Sequence, residues 1–241
     1  PEDPQRRATL ARLLGPTVFE ASVGELAGSW LAPLEMITLT TPMSAEERAA
    51  WDEEAAVWRP AVRAFVALAP GASWADFVNA AGRSEEGKRA LAAWQRGRRL
   101  LTLPEGKRRL VGELVERHRE ARTLVFAPDA VSALRLSTAL LVPAITAGIG
   151  REERTQILGD FAEGRVRCVV SARVLNEGVD VPEAEVAVIV GGSQGTRELV
   201  QRVGRVLRPS AGKRAVVYTL VTAGTREQER LEAGRSALAV G

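Results

Sequence analysis

Two arginines in the C-terminal part of the chain have a spacing that suits phosphate chemistry. Arg205 and Arg208 lie three residues apart within residues 201–208, and on a helix this spacing puts both side chains on one face. Two guanidinium groups there could hold one phosphate and stabilise the charge that develops as a phosphoryl group is transferred. The alternative is an ordinary basic helix, because cations at this spacing are common on protein surfaces.

A second polar segment comes earlier in the chain. Residues 171–182, Ser-Ala-Arg-Val-Leu-Asn-Glu-Gly-Val-Asp-Val-Pro, follow one apolar stretch and precede another. If both stretches are strands, this segment brings hydroxyl, amide and carboxylate groups to the end of a strand. Such a segment supplies the small, polar and acidic groups that a ligand site needs.

The strands and helices that must position these groups are predicted from an alternation of short apolar stretches and helical segments. Five short apolar stretches are predicted as strands: residues 123–127, 144–147, 167–171, 186–190 and 216–221. Helical segments join the first three, which predicts an α/β fold with a parallel sheet covered by helices on both faces. Asp129 and Thr196 are good N-cap residues after the first and fourth strands, so helices begin at the carboxyl edge of the sheet. Open α/β sheets bind their ligands at that edge.

A small all-helical unit is predicted ahead of the sheet. Residues 1–43 form a lead segment that ends in an alternating strand at residues 36–40, and residues 44–98 form the helical unit. Ser44 and Glu47 make a capping box for a long helix at residues 45–68, which Pro60 is expected to kink or divide. Ser73 caps a second helix, and a third spans residues 84–100. Four tryptophans, at positions 51, 58, 74 and 94, favour a Trp-packed bundle over base stacking.

Composition excludes several classes of protein. No stretch approaches the ~18 consecutive apolar residues that a membrane span needs, so no membrane association is expected. Cys168 is the single cysteine of the chain, which excludes a disulfide framework and a cysteine-based metal site and favours a reducing, cytoplasmic, prokaryotic-type setting. Between residues 197 and 214 six basic residues accompany one acid, a density that suits phosphate contacts and a solvated face equally well.

The order of the motifs resembles one family of nucleic-acid motors. A strand ending in a hydroxyl residue, then Glu-Gly-Val-Asp-Val-Pro, another strand, and Gln-x-x-Gly-Arg-x-x-Arg resemble motifs V and VI of superfamily 2 helicases. Within that superfamily the chain is most similar to the XPB group. Supporting phrases lie at residues 14–16, 25–28, 31–33, 142–146 and 207–213.

The resemblance implies a RecA-like second motor domain at residues 99–241 and a role for individual residues. Arg205 and Arg208 would be arginine fingers, Gln201 would orient them, and Gly204 would allow close approach to the nucleotide. Gly178 and Asp180 would contact the phosphates and the ribose. The candidates for contact with the nucleic-acid backbone are Ser171, Arg173 and Thr146. The helical unit at 44–98 matches the position of the thumb-like insertion between the two motor domains of XPB-type helicases, which implies a role in gripping or separating DNA.

The motifs of a first motor domain are missing. The sequence contains no Gly-x-x-x-x-Gly-Lys-Ser/Thr and no Asp-Glu pair after an apolar strand. We therefore expect ATP and Mg²⁺ to be bound mainly by a separate N-terminal RecA-like domain, and this chain alone to be inactive. The chain is expected to be part of a longer protein, with a naturally separate half-helicase as the alternative. DNA is the expected partner, and XPB relatives often work with a nuclease or a larger assembly in DNA repair.

Two other classes of function compete with this interpretation. Residues 191–195 match the Gly-x-Ser-x-Gly nucleophile elbow of serine hydrolases, but that fold needs a histidine after the serine, and the single histidine, His118, precedes it. His118 is instead expected to end a helix, where a partly charged imidazole is favourable. A non-catalytic module that binds DNA or protein is the other alternative.

Overall fold

The computed structural model describes residues 34–172, 183–191, 215–225 and 227–229. Its strands are β1 (Leu34–Thr41), β2 (Thr123–Ala127), β3 (Ala144–Ile145), β4 (Cys168–Ala172), β5 (Val186–Ile189) and β6 (Ala215–Thr222). Its helices are α1 (Ala45–Leu68), α2 (Trp74–Ala81), α3 (Glu85–Thr102), α4 (Glu105–Arg117), α5 (Ala130–Leu140) and α6 (Arg151–Ala162).

The described strands form one sheet in the order β1-β6-β5-β2-β4-β3. Every pairing in it is parallel, so all the strands point their carboxyl ends to the same edge. The central strands β2, β4 and β5 are buried along their whole length, as expected of strands covered on both faces. The predicted α/β class and parallel sheet are confirmed.

Helices cover the two faces of the sheet. Successive strand residues point to opposite faces, so Leu124 packs on one side with Phe161 of α6. Val125 packs on the other side with Val111 of α4 and Leu136 of α5. These two apolar layers form the core and hold the strands in register.

The helical unit lies between β1 and α4 and packs around tryptophan rings. The Trp74 ring centroid lies 4.7 Å from that of Trp94 and 5.0 Å from that of Phe77. Trp51 is buried, with the Arg59 guanidinium 4.7 Å from its ring centroid. These contacts are those of a small helical bundle, and a role of this unit in gripping DNA stays a prediction.

The unit is attached at the carboxyl edge of the sheet. Ser44 caps α1, and its capping box with Glu47 is present as predicted. The same Glu47 carboxylate accepts a hydrogen bond from the Glu105 backbone N–H at 2.7 Å. One residue further, Arg48 donates to the Ala223 carbonyl oxygen at 3.0 Å. The first turn of α1 therefore joins the beginning of α4 to the turn after β6.

Some details differ from the sequence prediction. Pro60 does not divide α1, which continues from Ala45 to Leu68. The strand β3 has only two residues, since the chain turns at Thr146 toward α6. Helix α3 continues to Thr102, two residues past the end predicted at residue 100.

His118 is a second correction. It follows α4 as predicted, but burial and, to a smaller extent, Arg117 lower the pKa of its imidazole. Its Nε2 is 2.9 Å from the Tyr218 hydroxyl oxygen. Burial therefore favours the neutral imidazole, against the partial charge that the sequence predicted.

Candidate functional site

The two segments that contain most of the predicted functional residues follow strands that end at the same edge of the sheet. Phe126 in β2 is the register partner of both Ser171 in β4 and Ile189 in β5. Ser171 and Ile189 are therefore level with each other and two strand spacings, roughly 10 Å, apart. Residues 173–182 and 192–214 come next in the sequence, so the strand ends that precede these two segments are close neighbours.

Most of the predicted residues themselves lie outside the described part of the chain. These are Arg173, Gly178, Asp180, Gln201, Gly204, Arg205 and Arg208, together with the predicted N-cap Thr196. Their roles remain predictions. The structure describes the strand residues that precede and follow them in the sequence.

The two described candidates for nucleic-acid contact lie on neighbouring strands. Ser171 pairs in register with Ile145 of β3, and Thr146 is the next residue. Ser171 is completely buried and its Oγ has no hydrogen-bond partner, whereas Thr146 is half-buried. An unpaired buried hydroxyl is costly in a folded protein. Thr146 is thus the more accessible of the two, and contact of either residue with nucleic acid stays a prediction.

A buried lysine that the sequence reasoning missed lies at this edge. Lys107, in the first turn of α4, is completely buried, and its Nζ lies 2.6 Å from Glu227 Oε2. The same carboxylate accepts a hydrogen bond from the Thr222 backbone N–H at 3.1 Å. Burial lowers the pKa of Lys107, while the charge of Glu227 opposes that shift. We call Lys107 and Glu227 the buried ion pair.

The buried ion pair touches the exit of β5. Gly191 has a φ of +125°, and a Cβ added there would lie 2.9 Å from Lys107 Nζ and 3.0 Å from Glu227 Oε1. A side chain at this position would meet both charged groups and would strain the backbone. Gly191 is therefore required by close packing as well as by the turn that the sequence predicted.

An open groove lies further along the same edge, beside β1. It has a volume of about 480 Å³ between the end of β1 and the first turns of α4. Thr41 and Thr222, which end β1 and β6 as register partners, are both buried with unpartnered hydroxyl oxygens. Among the residues that the structure describes, none of the predicted site residues lines this groove.

Metal and membrane features were searched over the described residues. Within those ranges no cluster of three or more His, Cys, Asp or Glu side chains could hold a metal ion. Nor does any helix in them combine the length and the apolar character that crossing a bilayer requires. Cys168 is buried in β4, and burial raises the pKa of its thiol to about 12.

Residues 106–210 match the model of the helicase conserved C-terminal domain. A DNA 3'-5' translocase XPB2 from Sulfurisphaera tokodaii is 31% identical over 89% of this chain and 49% of its own length. A DNA 3'-5' helicase XPB from Kineococcus radiotolerans is 36% identical over 54% of this chain and 24% of its own length. The chain thus spans about half of the first relative and less of the second.

A solved structure supports the same fold. The Hef helicase domain of Pyrococcus furiosus superposes with a TM-score of 0.64 at 14% identity, covering 97% of this chain and 65% of that one. At this identity the similarity establishes the fold alone. The sheet described above is therefore a RecA-like helicase C-terminal fold, with helices inserted ahead of it.

Proposed function

We propose that this chain, which carries the helicase conserved C-terminal domain of superfamily 2, is the C-terminal half of an ATP-dependent XPB-like DNA helicase or translocase. The observation that carries the proposal is the common sheet edge at which β4 and β5 end. Residues 173–182 and 192–214 follow strand ends that are level and two strands apart on this edge. One ligand lying along that edge could touch residues of both segments.

The nucleotide side of the site belongs to the residues of motifs V and VI. In this proposal Arg205 and Arg208 stabilise the transferring phosphoryl group and Gln201 orients them. Gly204 lets the chain approach the nucleotide closely, and the remaining contacts, to phosphate and ribose, come from Gly178 and Asp180. No Walker A motif occurs in the sequence, so Mg²⁺ and most of the ATP would be held by a first RecA-like domain.

The nucleic-acid side lies next to β3 and β4. Ser171, Arg173 and Thr146 would contact the DNA backbone, where hydroxyl groups and cations position a strand without reading its sequence. Binding should therefore be salt-sensitive and largely independent of sequence. An intracellular role in DNA repair, with a nuclease or a repair assembly as partner, is the part of the proposal that rests on resemblance alone.

DNA-stimulated ATP hydrolysis tests the proposal. It would be measured for this chain alone and together with the first motor domain, either in one polypeptide or added separately. We expect activity only with both domains, and Arg205→Ala should lower turnover roughly 10³-fold while DNA binding is kept. Arg197→Ala, a matched loss of one arginine outside the Gln201 to Arg208 motif, should leave most of the turnover.

The outcomes separate the competing functions. Hydrolysis by this chain alone would reveal an ATP site that the motifs do not predict. Full activity of Arg205→Ala would refute the assignment of the fingers. DNA binding without hydrolysis, even with the first domain present, would identify a non-catalytic binding module.

A further inference from the structure

Protein stability does not account for the buried ion pair. Lys107 has no exposed surface, and an ammonium group loses its hydration on burial. The attraction of Glu227 offsets that loss only in part, and replacing a buried ion pair by apolar side chains is often neutral or even stabilising. A leucine or methionine at position 107 would extend the apolar layer of α4 at less cost. The lysine therefore has another use.

The contacts of the buried ion pair show what it holds. Through Glu227 it is bonded to the backbone N–H of Thr222, where β6 ends. A Cβ placed on Gly191 would lie 2.9 Å from Lys107 Nζ and 3.0 Å from Glu227 Oε1, so both charged groups lie against this glycine. Among the described contacts, it is the point at which α4, the exit of β5 and the exit of β6 converge.

Gly191 is the last described residue before the segment that contains the predicted fingers. Gln201, Arg205 and Arg208 follow it in the sequence, before β6 begins at Ala215. A misplacement of about 1 Å at a catalytic group can cost about 10²-fold in rate, so a residue that fixes Gly191 can act on the fingers that follow it.

We propose that Lys107 is a positioning residue for ATP hydrolysis, which fixes Gly191 through its ion pair with Glu227 and so helps to place Arg205 and Arg208, which follow Gly191 in the sequence. This inference rests on the proposed function. Lys107 itself does not touch the nucleotide. Its effect should therefore appear in the chemical step rather than in the binding of ATP or DNA.

The test uses the protein with its first motor domain and two variants of the pair. Lys107→Met keeps an unbranched chain of similar length and leaves Glu227 able to reach water, since that side chain is 27% exposed. Glu227→Gln keeps the hydrogen bond from Thr222 and removes the charge, so it carries the test if Lys107→Met does not fold. Lys88→Met is the matched control, because it removes an exposed ion pair with Glu85.

Four quantities are measured for each variant: kcat and KM for DNA-stimulated hydrolysis, the affinity for DNA, and the affinity for ADP with aluminium fluoride relative to ADP alone. The aluminium fluoride complex imitates the transferring phosphoryl group, so its affinity reports on the fingers. We expect kcat to fall by about 10- to 100-fold in Lys107→Met and Glu227→Gln. KM and DNA affinity should stay within about 3-fold, and the preference for the aluminium fluoride complex should fall with kcat.

Two results would overturn the inference while the proposed function stands. One is an unchanged kcat in the folded Lys107→Met protein when Arg205→Ala inactivates the enzyme. The other is a loss of activity that only follows the unfolded fraction, with normal kcat per folded molecule, which would make the pair structural. Activity that survives Arg205→Ala would instead refute the proposed function.

Discussion

Replacing Gly191 by alanine tests the geometry of the buried ion pair directly in this chain. Any L-residue at positive φ costs roughly 1–2 kcal/mol even in the left-handed helical region, and the φ of +125° at Gly191 lies beyond that region. The added Cβ also lies 2.9 Å from Lys107 Nζ, so the buried Lys107 side chain must shift to admit it. Overpacking of this kind costs about 1–3 kcal/mol. Gly191→Ala should therefore lower the free energy of unfolding by about 2–5 kcal/mol.

Gly164→Ala is the matched control. Gly164 also has a positive φ, +75°, but a Cβ there meets no atom within 4 Å, so only the backbone cost of roughly 1–2 kcal/mol applies. Urea unfolding of both variants should give a difference of about 1–3 kcal/mol. Adding Lys107→Ala to Gly191→Ala should cost less than the same change in the unmodified chain, by about 0.5–3 kcal/mol. Equal stability of the two glycine variants, or strict additivity with Lys107→Ala, would refute the contact.

Two further predictions concern the helical unit and the core. A Cβ on Gly87 would lie 2.2 Å from the last carbonyl oxygen of α2, whereas one on Gly97 has its nearest contact at 3.6 Å. Gly87→Ala should therefore destabilise the unit by about 1–3 kcal/mol, and Gly97→Ala should stabilise it by about 0.5–1 kcal/mol. Urea unfolding followed by tryptophan fluorescence measures both changes. Changes of the same sign in the free energy of unfolding would contradict this prediction. In the folded chain the pKa of Cys168 is raised to about 12 from 9.0. As the pH rises, the thiol therefore ionises first in the unfolded chain. The free energy of unfolding should fall by about 1.4 kcal/mol per pH unit above pH 9. Unfolding measured between pH 8 and 10.5 should show that slope, and Cys168→Val should remove it; an identical slope in the variant would exclude Cys168 as its source.

The sheet was predictable because its strands carry an unambiguous signal. Five consecutive buried residues at Thr123–Ala127 form β2 with the predicted bounds, since a strand covered on both faces reads as one apolar run. Caps were equally readable, as at Asp129, whose side chain accepts from the Ser132 backbone N–H. Both signals are local, so neighbouring residues alone determine them.

The buried ion pair was not predictable, because its partners are 120 residues apart. In the sequence Lys107 is one of several charged residues in a polar helix start, and its burial depends on packing against β6 and Gly191. One signal did exist. Only three of the 33 cations of the chain are lysines, so a compact ammonium group is the exception in a chain that otherwise uses arginine. A guanidinium group is larger and planar and does not replace an ammonium group at a tightly packed site.

The position of the helical unit has a mechanical consequence for the same edge. Its root is held by the hydrogen bond from the Glu105 backbone N–H to Glu47 and by that from Arg48 to the Ala223 carbonyl oxygen. Lys107 lies only two residues beyond Glu105, in the same helical turn. A rotation of the unit must either break both hydrogen bonds or carry the start of α4 with it. Motion of the helical unit would therefore reach the turn that holds the buried ion pair.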